Sequence, residues 1–198
     1  IDRPVRPLFH KDFKNETQVT CTVLSHDQQN DSDVIAMIAA SAALTLSGLP
    51  FLGPLGAIKI GYVDNDFVVN PTKDQLSESK LELIVAGTKE GVLMIESEAH
   101  ELSEQQMLDA VVLGQESYKL VIEAIISLAK KGAKEPWTVN EKNDELKNLP
   151  AKISEEYGAK FIEAYKVMEK QSRSEKLNLI RYEIVEKFTS ESVTAVLL

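Results

Sequence analysis

An α+β fold is what this 198-residue sequence predicts, and three observations carry it. Strand-type alternation and hairpin signals fill the first hundred residues; a helical period takes over at Ser103 and persists towards the C-terminus; and one apolar helix interrupts the strand-rich part. The hydrophobic content of 43% is enough to supply a core for one large domain or two small ones. The change of period places a boundary near Lys131, giving a mixed domain over 1–131 and an all-helical domain with its linker over 132–198.

The elements follow in order. After a proline-punctuated opening, Glu16 to Leu24 sets Val19, Cys21 and Val23 against Gln18, Thr20 and Thr22, the period-2 pattern of a half-buried strand. Cys21, the single cysteine, reads there as a small buried hydrophobe, which suits a reducing compartment. Asp31 and Ser32 are N-cap candidates for an apolar helix over Val34–Leu44 that Gly48 ends. Being apolar almost all round, that helix is expected to be buried. Ala57–Val63 and Phe67–Asn70 form a hairpin about Asp64-Asn65-Asp66, and a second hairpin pairs Leu81–Ala86 with Val92–Glu98 through Gly87–Gly91.

From Ser103 the apolar positions Met107, Ala110, Val111, Gly114, Tyr118, Val121, Ile122, Ile125 and Leu128 share one helical face, and Ser103-x-x-Gln106 is a capping box. Gly132 to Pro150 reads as a linker. Ile153, Tyr157, Phe161, Tyr165 and Met168, then Leu177, Ile180, Ile184 and Phe188, predict two further helices.

The net charge of −9 opposes non-specific attraction to phosphate backbones and anionic membranes, so any nucleic-acid contact has to be local. The most apolar run, Val34 to Leu46, is too short to span a membrane, and a soluble chain is expected. No phosphate-binding glycine loop, nucleophile elbow or paired-cysteine metal site is present. His10, His26 and His100 lack ligand spacing and read as surface residues. Arg3 and Arg6 flank prolines that restrict the backbone. Two guanidiniums three residues apart suit phosphate, but on the residues alone a solvated loop, or pairing with acids, is the favoured reading. Glu82, Glu96 and Glu98 on neighbouring strands are conceivable as a magnesium site, but solvent-facing strand charges are the favoured reading.

Four segments occur together and in order: Ile1-Asp2-Arg3-Pro4-Val5-Arg6-Pro7-Leu8-Phe9, Asn30-Asp31-Ser32-Asp33-Val34-Ile35-Ala36-Met37-Ile38, Asn70-Pro71-Thr72 and Val85-Ala86-Gly87-Thr88. With them the chain resembles the bacterial polynucleotide phosphorylase family, specifically to about Ala129 and more weakly to about Thr189. The resemblance implies a ribosomal-protein-S5-domain-2-like β-α core, the first of two phosphorolytic cores and lacking its N-terminal strands, followed by an all-helical domain. The start at Ile1 without a methionine fits a truncation.

For the full-length protein the resemblance implies a polyribonucleotide nucleotidyltransferase: 3′-to-5′ phosphorolysis of RNA to nucleoside diphosphates, serving mRNA degradation in the cytoplasm. It further implies Mg2+ bound in the second core, a ring-like homotrimer, single-stranded RNA and inorganic phosphate as ligands, and partners in an RNA-degradation assembly. In the second core a serine-rich turn before the buried helix and an Asp-x5-Asp-x-Lys pattern carry the chemistry. Here the turn is Asn30-Asp31-Ser32-Asp33, and the pattern falls on Leu76, Glu82 and Ile84. The segment is therefore expected to be catalytically degenerate, to hold no metal, to be inactive alone, and to support trimer assembly and RNA guidance, with Arg3 and Arg6 near the RNA path or a vestigial phosphate pocket. A non-catalytic ring subunit resembling exosome cores is the alternative.

Overall fold

The computed structural model describes residues 1–139 and 144–189, and the chain divides into two compact units, Ile1–Val139 and Asn140–Leu198. The first unit is built on a four-stranded antiparallel sheet, β1 (Gly56–Val63), β2 (Asp66–Val69), β3 (Leu81–Gly87) and β4 (Val92–Ala99), in the order β2-β1-β3-β4. Asp64 and Asn65 turn the first hairpin with φ of 51° and 65°. Two successive positive φ angles are the signature of a tight turn whose twist matches that of the strands it joins.

Helices cover both faces of this sheet. Ahead of it lie α1 (Asp2–Val5), a 3-10 turn over Arg6–Leu8, and α2 (Asp33–Leu46); α3 (Lys73–Glu78) and the 29-residue α4 (Glu104–Gly132) are interleaved with or follow the strands. One face packs Ala57, Ala86 and Met94 against Val5, Leu8, Val34, Met37 and Leu44. The other packs Ile58, Ile60, Leu83 and Val85 against Ala110, Tyr118 and Ile122 of α4. Gly114 permits that second approach, because a Cβ there would lie 2.9 Å from Val85 Cγ2. Ser103 and Gln106 make the expected reciprocal capping box. In the second unit, α5 (Asp144–Tyr165) and α6 (Lys170–Phe188) share a core of Tyr157, Ala164, Ile180 and Ile184. The α+β expectation, with helices alone after the sheet, is therefore met.

Several expectations are corrected. No strand forms over Glu16–Leu24: Val23 and Leu24 are exposed, and so is Cys21, which was expected to be buried. Alternation becomes a strand only beside a partner that supplies its backbone hydrogen bonds, and among the described residues none lies alongside. The segment instead lines an apolar groove with Ile35, Ala36, Ala39 and Ala43 of α2, so that helix is buried on one side only and Ile35 is 64% exposed. Leu128 lies outside the buried stripe of α4. The short helix α3 was missed, although Thr72 and Gln75 write its capping box in the sequence. The linker is shorter than Gly132–Pro150, since α5 begins at Asp144 and contains Pro150. Among the described residues no helix is long and apolar enough to cross a membrane.

Candidate functional site

The N-terminal turn, the start of α2 and the middle of β3 and β4 meet in a cleft. Arg3, Asp33, Met37, Ile84, Met94 and Glu96 are among its lining residues. The strand register explains the meeting: Ile84 pairs with Glu96 and Glu82 with Glu98, so all four side chains leave the sheet on the face that α2 covers.

Arg3 reaches across this cleft to Glu96, 3.2 Å from its carboxylate. Arg6 turns back along the chain and donates from Nε and Nη2 to Asp2 at 3.0 and 2.8 Å, a pairing that raises the Arg6 pKa through the hydrogen bond and the adjacent charge. Both guanidiniums remain largely open to solvent, with side-chain exposures of 66% and 78%. Both are thus paired with acids while staying open to solvent.

A second cluster went unread in the sequence. Lys59, in the central strand β1, is 4% exposed, and its Nζ lies 2.9 Å from Asp31, 2.9 Å from Asp33 and 2.8 Å from Glu82. Burial works against its charge, but the hydrogen bonds to Glu82, Asp31 and Asp33 more than offset that and raise its pKa above the ordinary lysine value. The same bond from Lys59 is the main cause holding Asp31 below the ordinary carboxylate range, with Lys73, 3.7 Å away, adding to it. The surrounding backbone is tied to this cluster: Lys59 N–H donates to Asn70 Oδ1, Asn70 N–H to Lys59 O, and Lys73 N–H to Gln29 O. The turn before α2 is thereby stitched to β1 and to the connection that follows β2.

Glu82, Glu96 and Glu98 do not converge on one another. Among the described residues, the acids whose oxygens converge, within 4.8 Å of one another, are Asp31, Asp33 and Glu82, while Glu96 is engaged by Arg3. A lysine in an alternating strand looks like a solvent-facing position. The signal that would have found it is the two acids of the turn before α2, which need a cation close by.

The arrangement does not fit a resident Mg2+. The three carboxylates that would hold one already surround an ammonium group, and the Asp-x5-Asp-x-Lys positions are Leu76, Glu82 and Ile84, of which only Glu82 offers an oxygen ligand.

Two models of the 3′ exoribonuclease family match the chain, domain 1 over residues 1–50 and domain 2 over residues 53–117. Three curated relatives carry the name polyribonucleotide nucleotidyltransferase. That of Rhodospirillum rubrum is 52% identical over 197 residues, covering 100% of this chain and 28% of its own length. That of Acidiphilium cryptum is 51% identical, covering 96% of this chain and 27% of the relative, and that of Granulibacter bethesdensis 53% identical, covering 94% and 26%. The chain thus spans little more than a quarter of the relatives it matches. A solved structure, rice (Oryza sativa) Rrp46, aligns at 16% identity and a TM-score of 0.47, over 52% of this chain and 49% of that one.

Proposed function

This chain belongs to the 3′ exoribonuclease family, and from that premise we propose that it is a non-catalytic segment of a phosphorolytic exoribonuclease, a polyribonucleotide nucleotidyltransferase. The observation that carries this reading is the identity of about half, sustained along the whole chain, with relatives of that name. The full-length protein shortens RNA from its 3′ end: an oxygen of inorganic phosphate attacks the terminal phosphodiester phosphorus, the 3′ oxygen leaves, and a nucleoside diphosphate departs. Any Mg2+ used in that step would be held by the second core, since the converging acids here already surround Lys59. The present segment contributes to a homotrimer and to guidance of single-stranded RNA in the cytoplasm, within reach of RNA-degradation partners.

Within the segment, Arg3 and Arg6 are the proposed phosphate or RNA contacts. Their carboxylate partners sit in high-dielectric surroundings, where an exposed ion pair is screened and weak, and a phosphodiester can compete for the same guanidinium. The net charge of −9 favours a second reading, a ring scaffold that binds proteins rather than RNA.

The deciding experiment supplies full-length protein with poly(A), phosphate and Mg2+ and looks for ADP by chromatography. ADP formed only with phosphate is expected, and AMP or no product refutes the phosphorolytic reading. Phosphate-dependent release of nucleoside diphosphate by the isolated 198-residue chain would refute its non-catalytic role. Crosslinking to single-stranded RNA separates the two readings: it should fall when Arg3 and Arg6 are both changed to Glu, and a scaffold would lose nothing.

A further inference from the structure

The Lys59 cluster has the plan of a divalent-cation site with an ammonium group at its centre. Three carboxylate oxygens from two places in the fold lie within 4.8 Å of one another: Asp31 and Asp33 at the turn into α2, and Glu82 in β3. Hard divalent cations gather carboxylate oxygens in this way. The Lys59 side chain rises from the sheet beneath them and is 5% exposed, whereas the carboxylates are 33%, 40% and 47% exposed. An ammonium has three protons to donate, and the three carboxylates provide one short contact for each. Without this charge the acids would repel one another. Lys73 is too far from the centre to take over: among the described residues its ammonium pairs with Asp31, at 3.7 Å, and it is half exposed.

We propose that Lys59 is a resident cation standing in for a bound metal ion, joining the turn before α2 to β1 and β3. The turn is thereby set without any metal, and removal of the Lys59 charge converts the same three acids into a divalent-cation site. This is independent of the proposed enzymatic role, because it rests on the cluster alone.

The test uses the full-length protein with Lys59→Met, which keeps the bulk of the stem and loses the charge, and Lys59→Arg, which keeps a charge. Mn2+ is the probe, counted by electron paramagnetic resonance as bound equivalents per chain, alongside the thermal unfolding midpoint with and without Mn2+. The wild type should show no Mn2+ that is lost on Asp31→Asn. Lys59→Met should bind one equivalent more than wild type, at least tenfold more tightly than any wild-type binding sensitive to Asp31→Asn. Its lowered midpoint should recover with Mn2+, and Asp31→Asn on that background should abolish both effects. Lys59→Arg should gain no equivalent. If Lys59→Met folds only in the presence of Mn2+, the proposal stands. It is overturned if Mn2+ binds the wild type at this cluster, if folded Lys59→Met takes up no extra equivalent, or if that variant stays unfolded with Mn2+ present.

Discussion

The two cationic regions flanking the start of α2 use the same chemistry in opposite settings. At the N-terminus, Arg3 and Arg6 pair with Glu96 and Asp2 in open water; at the sheet, Lys59 pairs with Asp31, Asp33 and Glu82 under almost complete burial. The difference teaches which charges are free to do something else. An exposed pair is screened and readily exchanged, so its guanidinium stays available to an incoming phosphate. A buried ammonium cannot leave, because moving it strands three carboxylates, and its role is to hold the backbone around it.

The sharpest way to break that comparison is to remove the buried charge. Lys59→Met should destabilise the first unit by about 3–5 kcal/mol, the range for breaking a buried ion pair from one side, read as a lowered denaturant midpoint in urea titration. A loss below about 1 kcal/mol would place Lys59 with the surface arginines.

Acidification comes next. Asp31 is held below its ordinary value of 3.8, so its contribution is present above that pH and lost as pH falls through its lower folded value. Lys59 is raised above 10.5, so its contribution is complete below that pH and lost only as pH climbs through the higher folded value. Urea midpoints taken from about pH 6 down to pH 3 should therefore drop more for wild type than for Asp31→Asn, with no loss traceable to Lys59 up to about pH 10.

A smaller effect is expected at Tyr118, a buried side chain whose hydroxyl donates to Thr88 O at 3.3 Å. Tyr118→Phe should cost about 0.5–1.5 kcal/mol in the same titration, since one neutral hydrogen bond is lost and the ring still fills its space. The smallest is Arg3→Gln, which breaks the pair with Glu96 and should move stability by less than about 1 kcal/mol while weakening RNA crosslinking measurably. Stability lost without any change in crosslinking would make Arg3 a structural residue.

Much of the fold was legible because its signals are local. The Asp64-Asn65 turn, the capping box at Ser103 and the buried stripe from Ala110 to Ile125 each depend on residues within a few positions of one another. The Thr72–Gln75 box was equally local and was overlooked. In the candidate site, Arg3 and Arg6 could be picked out as a pair from their spacing, whereas Lys59 could not. Its partners are 28, 26 and 23 positions away in the sequence, and nothing in Ala57-Ile58-Lys59-Ile60 indicates which face of the strand is covered.

The sequence by itself determined the order of hairpins and helices, the helix ends that carry caps, and the acids in the turn before α2, all matters of period and near-neighbour chemistry. Only the tertiary structure decided that Gln18–Val23 lies unpaired, that Glu96 meets Arg3, and that those acids close around Lys59. A strand needs a neighbour, and a charge needs a partner at about 3 Å; both are supplied by chain far away in sequence, so no local pattern can record them.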